Sequence, residues 1–237
     1  MFNLILAVAR KDLRSYFSSY IAYVVIAMFL VLAGWFFYVP VIFYGEGTLE
    51  YSYSNTLIVL LFLMPLITMR QISEERKSGS FELLLTRPIG EAHVVLGKFI
   101  AAGLLWFVMM APTALYGFII WQFGQPKPDI LPMISQFVSV FLVGLSFIAV
   151  GLFASSLTEN QVVAAFFSFT FILILWLLNW LSSLIGTESI LYYFAISNYV
   201  DDLLKGVVDA RDIVFYLSFM SFWLYATVMS LYSRRLS

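Results

Sequence analysis

Side chains able to do chemistry are scarce in this sequence of 237 residues, and they gather in one place. The run SEERKSGSFELLLTRP at residues 73–88 holds Glu74, Glu75, Arg76, Lys77, Glu82 and Arg87, six of 13 basic and 14 acidic residues. Carboxylates beside guanidinium and ammonium groups can pair with one another or with a charged partner. They are not a catalytic set, because no histidine, serine–histidine pair or second cluster accompanies them. The sole histidine, His93, lies past the run, where solvation accounts for it. A phosphate-cradling loop needs G-x-x-x-x-G-K-[ST], and Gly97-Lys98-Phe99 lacks the first glycine and the hydroxyl. No serine has a histidine placed for a triad. Cysteine is absent, which excludes disulfides and thiolate metal sites, and no other metal-ligand cluster is readable. The expectation is a chain with no catalytic residue, no metal and no cofactor of its own.

The elements that must position this charged run are apolar. The chain is 62% hydrophobic and only 11% charged, against roughly 25% charged in a soluble domain. Such a chain cannot cover a globular surface with polar groups, so the class is integral membrane protein. Intervals without Asp, Glu, Lys or Arg run over 15–45, 51–69, 99–126, 130–158, 160–187 and 213–233. Each can supply the ~20 residues needed to cross the hydrocarbon core. These intervals predict six helices near 20–43, 54–72, 98–121, 133–155, 160–184 and 212–232. Helices are required because backbone groups in lipid must be satisfied within the segment, and the runs do not alternate as barrel strands would. The first run is too long for a signal-peptide core of ~7–15 residues.

Charge placement predicts orientation. With the N-terminus inside, ten of the 13 basic residues fall on inner segments, leaving only Lys127, Lys205 and Arg211 outside. Both termini are therefore expected in the cytoplasm. Before the first span, residues 1–19 read as an amphipathic segment. Phe2, Leu6, Ala9, Leu13 and Phe17 share one helical face, with Arg10, Lys11 and Arg14 on another. That pattern fits a helix lying on the membrane surface or a plain basic anchor. The external segment 186–211 is half apolar and aromatic, with charges after residue 200. It fits either a stretch re-entering the outer leaflet or an amphipathic surface loop.

No span carries an ionisable group at its middle, where ion-driven pumps keep their relays. The buried polar candidates are Gln136, Asn179 and scattered Ser and Thr. Interhelical hydrogen bonding explains these, and Asn179 is also a candidate substrate contact. Gly144, Gly151 and Ser155 allow close packing of the fourth span, within the fold or between copies.

The charged run itself is expected to continue span two as helix through Met69–Lys77, with Gly79 as a left-handed cap. Ser80 then caps a short helix that places Phe81, Leu84 and Leu85 on one face. Pro88 ends that helix, giving a segment of 73–90. An apolar face beside charges either docks a partner or rests on lipid headgroups. Gly79 and Gly90 flank it as caps or hinges. At the next inner turn, Thr158-x-x-Gln161 reads as a capping box that starts span five.

The pattern Glu74-Glu75-Arg76, Gly79-Ser80, Glu82-Leu83-Leu84-Leu85 and Pro88, followed by Gly97-Lys98, resembles the ABC-2 type permeases, whose run E-E-[KR]-x-x-G-[ST]-x-E-x-L-L-x-x-P follows the second of six spans. The likeness covers nearly the whole chain, 1–237, as one permease domain. SSLTENQVVA at 155–164 resembles the inner turn of gliding-motility permeases and, more loosely, those of nitrous-oxide-reductase maturation. The resemblance implies an all-α membrane domain of six spans, with a cytoplasmic amphipathic N-terminal helix and a coupling helix at about Ser80–Arg87. It further implies a bacterial inner-membrane location and a second permease copy. A separate ATP-binding subunit holding ATP and Mg would dock on Glu74, Glu75, Arg76, Glu82 and the leucines. Thr158, Glu159, Asn160 and Gln161 would form a second inner contact. Two functional versions stay open: an ATP-driven exporter, or a mechanical module passing ATPase motion to an extracytoplasmic partner. An ion-coupled secondary transporter is disfavoured by the missing intramembrane charges and by the lack of internal repeats.

Overall fold

The computed structural model describes residues 2–44, 49–79, 90–124, 128–185, 195–207 and 209–235. Among them all regular structure is helical. Helix α1, Phe2–Ser18, turns sharply into α2, Tyr20–Val39, at Ser19. Ser19 takes an extended conformation, and its hydroxyl accepts the Ile21 amide at 3.3 Å. This is an ordinary N-cap, and it lets the chain change direction without orphaning amides. Helix α3 spans Glu50–Thr68 and α4 spans Ser73–Lys77. Helix α5, Glu91–Met110, passes through a 3₁₀ turn at Ala111–Thr113 into α6, Ala114–Phe123. Pro112 lies in that turn, where its missing N–H breaks the α-ladder. Then come α7, Ile130–Leu157; α8, Gln161–Ile185; α9, Ile196–Leu204; and α10, Ala210–Arg235.

Six segments are long and apolar enough to cross a membrane: Tyr20–Phe43, Glu50–Lys77, Glu91–Phe123, Ile130–Leu157, Gln161–Ser182 and Ala210–Ser233. The chain is an all-α integral membrane protein with the six spans its charge-free intervals predict. The spans divide by burial. Apolar windows of the second, third and fourth are 61–67% buried, and those of the first, fifth and sixth only 17%. Helix α7 is therefore the axis, touching α3, α5, α8, α9 and α10, while α2, α8 and α10 turn large apolar side chains outward.

Small residues on α7 let its neighbours approach. A Cβ on Gly144 would lie 2.3 Å from Nε1 of Trp106, and one on Gly151 would lie 2.1 Å from the Thr68 hydroxyl. Trp106 is fully buried, donates to the Phe141 carbonyl at 3.2 Å, and meets Phe29 edge-on at 5.3 Å. Gly144 and Gly151 thus serve packing inside one chain, against α5 and α3 respectively.

Within segment 186–211, residues 186–194 and 208 lie outside the described residues. Helix α9 is amphipathic, with Asp201 and Asp202 exposed. Ile196, Val200, Leu203 and Leu204 of α9 are buried, and α9 leans on α7. Ser135 donates to the Leu203 carbonyl at 3.0 Å and Gln136 to that of Leu204 at 2.7 Å. Gln136 thus satisfies the Leu204 carbonyl at the end of α9, the hydrogen-bonding role expected of it, and Ser135 adds a second donor to the Leu203 carbonyl, which also accepts the Gly206 amide at 3.1 Å.

Candidate functional site

The charged residues around the α3–α4 bend are built into the end of the bundle that carries α1. The bend comes first. Span two was expected to run on as unbroken helix, but α3 stops at Thr68 and α4 begins at Ser73. A hydroxyl from α7 causes the break to be tolerated. Ser155 Oγ accepts the amides of Ile72 at 3.2 Å and Ser73 at 3.1 Å, and donates to the Met69 carbonyl at 3.1 Å. One fully buried side chain thus supplies the partners that a continuous helix would have given. Helix α4 ends at Gly79, whose φ of 67° is the left-handed value a terminating glycine adopts.

The bend aims Glu75 and Arg76 in different directions. Arg76 reaches the α7–α8 turn, donating to the Ser156 carbonyl at 2.7 Å and pairing with Glu159 at 3.1 Å. Glu75 turns to α1 and α5, meeting Lys11 at 2.6 Å and Lys98 at 2.8 Å. Lys98 is the hub. It is 1% exposed, and its ammonium contacts Glu75, Asp12 at 3.1 Å, and the Gln71 carbonyl at 2.6 Å. The contacts to Asp12 and the Gln71 carbonyl are hydrogen bonds, and that to Glu75 is an ion pair. Four elements therefore close on one nitrogen: α1 through Asp12, the bend through Gln71, α4 through Glu75, and α5 through Lys98 itself. Beside it, Gln71 donates to the Tyr16 hydroxyl, which donates to the Ile67 carbonyl at 3.2 Å.

Burial pushes the Asp12 carboxyl up from its ordinary value, with the Lys98 charge pulling the other way. Burial likewise pushes the Tyr16 hydroxyl up. Buried ion groups tolerate such sites only when paired and hydrogen-bonded, and this cluster supplies both conditions. The arrangement has no nucleophile poised beside a base. What it can do is transmit displacement, since α1, α4, α5 and the α7–α8 turn cannot shift separately without breaking a charge-assisted bond.

The sequence-predicted residues fall out unevenly. Arg76 and Glu159 are brought together, joining two stretches read as separate inner contacts, while Glu75 turns away to Lys11 and Lys98. Glu74 is exposed at the rim. Ser80, Glu82, Leu83, Leu84, Leu85 and Pro88 lie outside the described residues, as does the side chain of Asn179. At the α7–α8 turn the capping differs from the box expected of Thr158 and Gln161. Asn160 is the N-cap, its Oδ1 accepting the Val162 amide at 2.9 Å, while Thr158 accepts the Asn160 amide at 3.2 Å. Asparagine outranks threonine as a cap, which explains the shift. His93 is half-buried, with Nδ1 enclosed and no partner for it among the described residues. Sequence reasoning missed Asp12 and Lys98. Of the face drawn through Phe2, Leu6, Ala9, Leu13 and Phe17, Ala9 is buried with Val8 and Asp12 on the side that meets α5, while Leu6 is exposed.

A family model described as ABC-2 family transporter protein matches residues 54–232. No curated protein matches the chain. The matched stretch includes the bend, Lys98 and the α7–α8 turn, and begins after α1.

Proposed function

Because the chain belongs to the ABC-2 transporter family and is a multi-pass membrane permease of an ABC transporter, we propose that it is the exporter-type permease half driven by a separate ATPase docked at its α1 end. The observation that carries this reading is the bridging of α4. Helix α4 is tied to α7–α8 by Arg76 and Ser155, and to α1 and α5 by Glu75. Residues 80–87 follow α4 directly in the chain and supply the coupling helix, with Leu83, Leu84 and Leu85 as its docking side and Glu82 beside them. Thr158–Gln161 is the second contact. A push on either surface then reaches spans two, three and four together. ATP and Mg bind in the partner, a second permease copy completes the membrane unit, and the α1 end faces the cytoplasm of a bacterial inner membrane.

Co-purification tests the docking. The ATPase should be recovered with the wild-type chain and lost with Leu84→Asp or Glu82→Arg, while the permease itself stays folded and dispersed. Unchanged recovery with both substitutions removes the docking assignment.

A second reading is favoured by α9. Its bonds to Ser135 and Gln136 fix the far-end segment to the axial helix α7, which suits a module that passes motion to an extracytoplasmic partner. The likeness of 155–164 to gliding-motility permeases supports the same version. ATP-dependent solute movement in vesicles separates the two.

A further inference from the structure

Between α1, the first turns of α2 and the α3–α4 bend lies an open cavity of about 480 Å³. Its walls differ in chemistry. One side is apolar, with Ile21, Val25 and Leu66; the other carries three cations, Lys11, Arg70 and Lys98, against three carboxylates, Asp12, Glu74 and Glu75. Four of those six groups pair among themselves. The side chains of Arg70 and Glu74 are exposed, one helical turn apart, and no ion pair joins either to another described residue. At the cavity wall, the Gln71 amide gives its N–H to Tyr16, whose own proton goes to Ile67. Gln71 Oε1 is left buried with no partner, on a side chain only 6% exposed.

The depth of this cavity is set by aromatic residues. Tyr20, 90% exposed, and Tyr23 project from the start of α2 beside it, while Trp35 and Tyr38 project near the other end. Exposed Tyr and Trp at both ends of a span mark the headgroup levels of the two leaflets. The cavity therefore opens where a headgroup meets its acyl chains.

We propose that this cavity binds one phospholipid from the leaflet at the α1 end, with a zwitterionic headgroup ending in a primary ammonium, of the phosphoethanolamine type. The phosphate pairs with Arg70, the ammonium with Glu74, and the acyl chain lies along Ile21, Val25 and Leu66. Gln71 Oε1 is the further acceptor for an ammonium N–H that enters the wall. An anionic headgroup such as that of phosphatidylglycerol satisfies Arg70 but offers Glu74 no cation. A trimethylammonium headgroup has no N–H to donate to either acceptor. Basic pockets between membrane helices take lipid phosphates; here the adjacent free carboxylate selects the amine. The site requires only the permease, so its test stands apart from that of ATPase docking.

The full chain in detergent, without any ATPase, is titrated with four probes: short-chain phosphatidylethanolamine, phosphatidylcholine, phosphatidylglycerol, and chain-free glycerophosphoethanolamine. Phosphatidylethanolamine should bind about tenfold more tightly than the other two lipids, and the chain-free headgroup should not compete. Glu74→Gln should erase most of that preference, and Arg70→Ala should weaken binding of all three lipids alike; both positions are exposed, and the melting temperature should stay unchanged. Equal binding of the three lipids, preference retained in Glu74→Gln, undiminished binding in Arg70→Ala, or competition by the chain-free headgroup each overturns the proposal.

Discussion

At Lys98 three helices and a bend meet on a single nitrogen, two turns inside α5. Its removal takes away the cation that pairs with Asp12, leaving only the more distant Lys11 charge, and leaves Glu75 with Lys11 alone. Breaking a buried pair by removing one partner costs about 3–5 kcal/mol, so Lys98→Met should lower thermal stability in detergent by many degrees. Lys98→Arg should recover part of the loss, since the charge is kept but the single-point geometry is not. Asp12 gives a pH test. Its carboxyl is held above its ordinary value by burial, so the folded state favours the protonated form. The stability this contributes is complete below the unfolded carboxyl pKa and is lost as pH rises through the folded one. Asp12→Asn cannot titrate. Whatever its constant offset, the melting temperature of wild type minus that of Asp12→Asn should therefore fall as pH increases across this range; a difference that rises or stays flat contradicts the assignment. Neither residue was legible as a pair. Asp12 sits among Arg10, Lys11 and Arg14, a local context that gives no sign of a buried pair. Its partner is 86 positions away, beyond any local periodicity.

The six spans were legible because their cause is local: hydrocarbon excludes charge, and charge-free intervals can be counted. The α3–α4 break was not, because its cause is a hydroxyl 83 positions distant. Residues 69–72 contain nothing that forbids helix; the bend exists since Ser155 satisfies its amides and carbonyl. Ser155→Ala removes all three bonds and leaves the Ile72 and Ser73 amides unpartnered, at about 1–3 kcal/mol, while the Met69 carbonyl keeps the Ser73 hydroxyl. It should also raise amide hydrogen exchange at Ile72 and Ser73 selectively. Uniform exchange across α3 and α4 after the substitution would show that the bend is held elsewhere. Gly151 is the companion case. The sequence showed that a small residue was present, and only the approach of Thr68 shows what it accommodates. Gly151→Val forces α3 from α7 and should cost about 1–3 kcal/mol or more by overpacking, with Gly151→Ala intermediate.

For the molecule as a whole, spans two, three and four form the buried centre, with α7 as its axis, and spans one, five and six are only 17% buried within the chain. The α1 end gathers the ionic network, while α9 is clasped to the far end of α7. A displacement applied at α4 thus has a continuous path of packed helix toward the opposite side. The central claim is that a docked ATPase supplies that displacement. The chain has no cysteine, so paired spin labels can be placed uniquely. With Lys77→Cys on α4 and Ile130→Cys at the far end of α7, both exposed, the interlabel distance can be measured in reconstituted vesicles. The distance should change on adding ATP when the ATPase is present, and stay fixed with ATP or an ion gradient when it is absent. A change driven by an ion gradient in the isolated permease, or no change in the loaded complex, would contradict the account.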